Sequence, residues 1–149
     1  MEENRIRGFW NVKLLDENGN VKMEKSHENL VTDSGFDWLI QRGWSTQTGS
    51  NAANYIAIGS DSTSATTSDT TLGQNPPLAN QQGTYSHTDG KHNFELTTTF
   101  AAGVGTGSIN EYGLMNGSPT GTLFNHATFG TIVKNSSDTL QITFAGSLS

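Results

Sequence analysis

The sequence predicts a mainly β protein, an antiparallel β-sandwich or jelly-roll-like fold with one short helix at about residues 33–42. Three observations carry that expectation. Inward positions recur at strand period in Phe94, Leu96, Thr98 and Phe100, and again in Leu140, Ile142 and Phe144. Hairpin signals at Asn18-Gly19 and Asp89-Gly90 interrupt such runs. Only 32% of residues are hydrophobic, yet there are 17 Gly, 7 Phe and 3 Trp, which suits a turn-rich β fold with a core of few but large side chains.

At 149 residues the chain fits one domain, 1–149, without a visible repeat or linker. Its first part, "RIRGFWNVKLLDENGNVKMEKSHENLV", reads as two strands about a two-residue turn, with Asn18-Gly19 as the positive-φ pair. In "TDSGFDWLIQRG", Thr32, Asp33 or Ser34 supplies an N-cap, and Phe36, Leu39 and Ile40 form an apolar stripe that Gly43 ends. "NYIAIG" is a short apolar strand. After it, the polar stretch "SDSTSATTSDTT" shows no periodicity before Leu72, and Pro76-Pro77 argues against regular structure. From residue 83 the strands "GTYSH", "HNFELTTTF", "GSINEYGLM", "GTLFNHATF" and "TLQITFAG" follow, separated by polar or glycine-rich turns.

Composition excludes several functions. A net charge of −6 with no basic cluster argues against a nucleic-acid partner, whose backbone is bound through Lys and Arg. The absence of cysteine removes disulfides, thiolate metal sites and a cysteine nucleophile. No apolar run approaches a membrane span, so no membrane partner is expected. The opening "MEENRIRGFW" has acidic residues and no apolar signal core, so synthesis in the cytosol is the expectation.

The chemistry-bearing residues point away from catalysis. "GSDSTSATTSDT" lacks the lysine and second glycine of a phosphate loop, and Asp61 and Asp69 lack calcium-loop spacing. "AAGVGTGS" has no βαβ frame for a dinucleotide and reads as a hairpin loop. His87, Asp89 and His92 share one probable turn, where solubility is the simpler explanation than a divalent metal. Ser34 with Asp33 and His27 is explained by helix capping, and nothing pairs Glu95 with Glu111 for sugar hydrolysis. No catalytic residue, metal or cofactor is expected. Trp10 and Trp38 suit the core, with Trp44 the tryptophan best placed for a surface role.

Five segments in order, "ENLVTDSGFDWLI", "NYIAIGSDST", "SDTTLGQ", "INEYGLM" and "GTLFNHATFGTIVKNSSDTLQITF", resemble a module of tailed-bacteriophage virion proteins over most of residues 28–145. "GSDS" departs from the Gly-Ser/Thr-Gly commoner after that module's first strand. The resemblance implies a non-enzymatic β domain assembled in symmetric copies on the virion. The preferred expectation is a capsid decoration or cement protein that bridges major capsid protein subunits and contacts copies of itself, on the capsid surface. The alternatives are a tail-fibre, baseplate or other tail-associated domain bound to other tail proteins or a host surface, and a carbohydrate-binding or hydrolytic domain. Residues 1–10 are a candidate interface arm. Arg5, Arg7, Phe9, Trp10 and Trp44 are the candidate interface residues, being of the types found at hot spots.

Overall fold

The computed structural model describes residues 6–44, 52–118 and 121–148, without the side chains of residues 40, 41, 43 and 44. Among the described residues, ten strands and one helix follow one another as β1 (Ile6–Leu15), β2 (Val21–Glu28), β3 (Leu30–Val31), α1 (Asp33–Trp44), β4 (Tyr55–Gly59), β5 (Ala79–Gln82), β6 (Thr84–His87), β7 (Asn93–Phe100), β8 (Gly107–Met115), β9 (Leu123–Lys134) and β10 (Thr139–Leu148). They form two five-stranded antiparallel sheets, β2-β1-β10-β7-β6 and β3-β9-β8-β4-β5, packed as a β-sandwich.

The first hairpin forms where the Asn-Gly signal stands, but with a different loop. Gly19 N–H donates to the Asp16 carbonyl at 3.0 Å and Asp16 N–H to the Asn20 carbonyl at 2.9 Å, so Glu17, Asn18 and Gly19 make a three-residue loop. Only Gly19 has positive φ, at 82°, in place of the Asn-Gly pair expected. Asp16 favours this geometry because its Oδ1 accepts from the amides of both Asn18 and Asn20 at 2.9 Å.

Thr32 is the N-cap of α1. Its carbonyl accepts from Phe36 N–H at 3.1 Å and its Oγ1 from Gly35 N–H at 3.0 Å. Asp33 and Ser34 therefore lie within the first turn instead of capping it. The buried side of the helix also differs from the expected stripe: Phe36 is 45% exposed, while Trp38 and Leu39 pack against the core. Gly35 sets this rotation, because a Cβ there would overlap the Phe124 carbonyl oxygen, so only glycine lets the helix lie this close to β9.

Large aromatic side chains fill the space between the sheets. The Trp10 ring lies 4.6 Å from Tyr112 on the opposite sheet and 4.8 Å from Phe144, its partner in register on β10. Phe100, Ile56, Ile58, Leu114 and Ile142 complete this core. Burying side chains of this size stabilises by about 1.5–3 kcal/mol each.

β1 lies between β2 and β10, which corrects the arm reading over residues 6–10. Trp10 is fully buried and cannot reach a neighbour, because strand alternation turns it inward. Arg7 and Phe9 point the other way and are exposed, so they remain available for contact. Arg5 and the Trp44 side chain lie outside the described residues. β5 was not expected after Pro76-Pro77. It pairs with β4 from Ala79↔Ile58 to Gln82↔Tyr55, backbone pairing that a polar "ANQQ" segment does not announce.

Candidate functional site

The polar stretch after β4 folds back over the outer face of the second sheet. It begins with Ser60, whose amide donates to Gln74 Oε1 at 2.7 Å and whose carbonyl accepts from the Asn110 side-chain amide at 2.6 Å. Asp61 turns the chain by accepting from Thr63 N–H at 2.8 Å. Further on, Asp69 accepts from Thr66 N–H at 2.8 Å and Thr66 Oγ1 at 2.7 Å, and the Thr67 carbonyl accepts from Asp33 N–H at 2.8 Å. Leu72 then enters a second small core with Ala57, Met115 and Leu123. β4 is therefore covered on both faces, which explains why "YIAIG" is almost uniformly apolar.

Two ionisable side chains sit beneath this strap. Glu111 on β8 is completely buried and His126 on β9 is 3% exposed. Pairing between β8 and β9 is irregular between Ile109 and Glu111. Regular alternation would give those two residues one face; the irregularity leaves Ile109 and Tyr112 in the main core and turns Glu111 outward. Gly59 makes room for the carboxylate, since a Cβ there would collide with Glu111 Oε1.

Glu111 gathers the far end of the strap. Its Oε2 accepts from Gly73 N–H and its Oε1 from Gln74 N–H, each at 2.8 Å. Its Oε2 also lies 2.8 Å from His126 Nε2, and His126 Nδ1 lies 2.7 Å from Asp69 Oδ2. A buried imidazole thus bridges two carboxylates, one from the sheet and one from the strap. Burial opposes its charge, but the hydrogen bonds to Glu111 and Asp69 and the charges of both outweigh it, so its pKa is raised above the ordinary 6.5. Burial pushes Asp69 up, yet hydrogen bonds from Thr66 and His126 prevail and hold it below its ordinary 3.8.

This arrangement suits a structural lock between the strap and the sheet. Each ring nitrogen faces a carboxylate oxygen, so the doubly protonated ring donates to both and ties the strap to the sheet. A cleft of about 320 Å³ beside it is lined by Asp61, Ser64, Ser68, Asp69 and His126, and is hydroxyl-rich and open. Among the described residues no three His, Asp or Glu side chains are grouped to hold a metal.

The other candidates fall elsewhere. Ser34 Oγ donates to the Leu123 carbonyl at 2.8 Å, far in role from His27, which stacks on Phe129 with ring centroids 5.5 Å apart. His87 Nδ1 lies 2.7 Å from the Asn93 carbonyl at the end of the β6–β7 hairpin. Asp61 and Asp69 lie in the strap as local turn acceptors, and only Asp69 touches another ionisable group. His126 and its pairing with Glu111 were not singled out from the sequence. The available signal was a polar pair, Asn110-Glu111 in "INEYGLM" and Asn125-His126 in "LFNHATF", flanked by apolar or aromatic residues.

At one end the two sheets part over an apolar groove of about 470 Å³. Leu96, Leu114, Phe124 and Phe144 form its buried base, with Tyr85 61% exposed and Leu148 52% exposed beside them. Compared with protein-family models, with curated proteins and with solved structures, the chain matches none.

Proposed function

We propose that this chain is a non-enzymatic structural protein of a tailed bacteriophage, one that decorates or cements the capsid by bridging major capsid protein subunits. The observation that carries the reading is the groove: apolar walls with Tyr85 and Leu148 exposed beside them are the kind of surface that buries against a protein partner. Phe9, 46% exposed on the outer face of β1, adds a second apolar contact point. The order of segments resembling virion proteins between residues 28 and 145 supports a virion partner. The saturated Glu111–His126–Asp69 bridge supports a role in binding over one in turnover.

A symmetric shell would also stabilise the domain by mass action, since it binds only the folded form. Imaging of intact particles with this chain labelled tests the proposal. Copies arrayed across the shell in step with the capsid subunits are expected. A small number confined to the tail would move the chain to a tail-associated role, and a location inside the shell would end both readings.

A further inference from the structure

We propose that His126 is the switch of a pH-sensitive strap: when it loses one ring proton, residues 61–71 lift from the outer face of the second sheet while Leu72–Gln74 stay seated. A charged imidazole has two N–H groups and serves both Asp69 at 2.7 Å and Glu111 at 2.8 Å. A neutral ring has one, so one carboxylate then faces a lone pair.

The two carboxylates are unequal in what they lose. The Glu111 side chain is 0% exposed, so water cannot replace a donor lost from its Oε2, and only the Gly73 and Gln74 amides would remain to it. The Asp69 side chain is 25% exposed and can take water instead. The remaining proton therefore stays on Nε2, toward Glu111, and the contact to Asp69 breaks.

The strap is built to divide at that place. Between Asp61 and Thr71 it reaches the body of the protein through Asp69 to His126, and through the Thr67 carbonyl to Asp33 N–H. The turns around Asp61 and Asp69 are internal to it and survive lifting. Leu72 is instead anchored among Ala57, Met115 and Leu123, and Gly73 and Gln74 are held by Glu111 independently of the histidine.

Helix α1 carries Asp33, Asp37 and Arg42, and the charges that act on His126 are those of carboxylates. Glu111 faces it from β8, Asp69 and Asp61 from the strap, and Asp33 stands at the start of α1 beside Thr67; β3 contributes no titratable group, and β4 only the Tyr55 phenol. These carboxylates hold the ring's pKa above its ordinary 6.5, so the strap is closed at pH values below that and opens as pH rises through the raised one. Opening takes apart the cleft beside His126, since its lining apart from His126 is the strap itself.

The test follows the His126 ring nitrogens and the amide exchange of Asp33, Gly73 and Gln74 by NMR on the full chain, from about pH 6 to about pH 10. As His126 deprotonates, the protection factor of the Asp33 amide should fall about tenfold or more while those of Gly73 and Gln74 hold. Unchanged protection at Asp33 through the His126 titration, or simultaneous opening at Gly73 and Gln74, overturns the proposal. So does a ring that does not titrate in this range. In Asp69→Asn the His126 midpoint should drop by about one pH unit or more, and an unmoved midpoint would equally refute the bridge as its cause.

Discussion

Glu111 Oε2 and His126 Nε2 lie 2.8 Å apart on the face of the second sheet turned away from the main core. Neither residue has solvent to balance its charge, so each depends on the other and on the strap that covers them both.

Removing the histidine should therefore be costly. His126→Ala leaves a fully buried Glu111 without its cationic partner, and breaking such a pair on one side typically destabilises by about 3–5 kcal/mol. Urea unfolding of the variant beside the parent chain measures this. A loss within about 0.5 kcal/mol, as for an ordinary surface substitution, would show that the bridge is not a structural lock.

Stability should vary with pH at two limits, one set by Asp69 and one by His126. His126 has a folded pKa above its ordinary 6.5, so its contribution is complete below that value and is lost as pH rises through the raised one. Asp69 has a folded pKa below its ordinary 3.8, so its contribution is present above that value and is lost as pH falls through the depressed one. Denaturation midpoints across pH should trace a plateau between these limits, and His126→Ala should flatten its alkaline fall. An alkaline fall unchanged in the variant would assign it to other groups.

The strap should show two classes of position. Leu72→Ala empties part of the second core and should cost about 2–5 kcal/mol, whereas Ser64→Ala on the exposed part should stay within about 0.5 kcal/mol. Equal effects, measured by thermal or urea unfolding, would mean that Leu72 is not packed as described.

The groove should matter for assembly more than for folding. Tyr85→Ser and Leu148→Ser alter side chains that are more than half exposed, so the fold should survive. Binding to undecorated capsid shells should weaken about tenfold or more, which corresponds to about 1.4 kcal/mol. Full binding by both variants would place the contact elsewhere on the domain.

Local signals in the sequence identified most of the strands and the helix, because each rests on neighbouring residues. Alternation in Phe94–Phe100 and Leu140–Phe144 translated directly into β7 and β10. Finer detail depended on tertiary partners. The loop at Asn18-Gly19 took its form from Asp16, and the rotation of α1 was set by Gly35 against Phe124, a residue from the far end of the chain. The strap was the least legible element. Its anchors Leu72 and Asp69 carry no periodicity, and their partners Ala57, Met115, Leu123, Glu111 and His126 converge only in the folded sheet. The irregularity near Asn110, which decides where Glu111 points, has no local signature in "SINEYG".

Hydrogen exchange at the Gly73 and Gln74 amides at neutral pH tests most directly whether the polar stretch is part of the fold. Both are held by a buried carboxylate at 2.8 Å and should be protected to the same degree as strand amides such as that of Leu114. Exchange at the rate of unstructured chain would contradict the strap, and with it the lock beneath it.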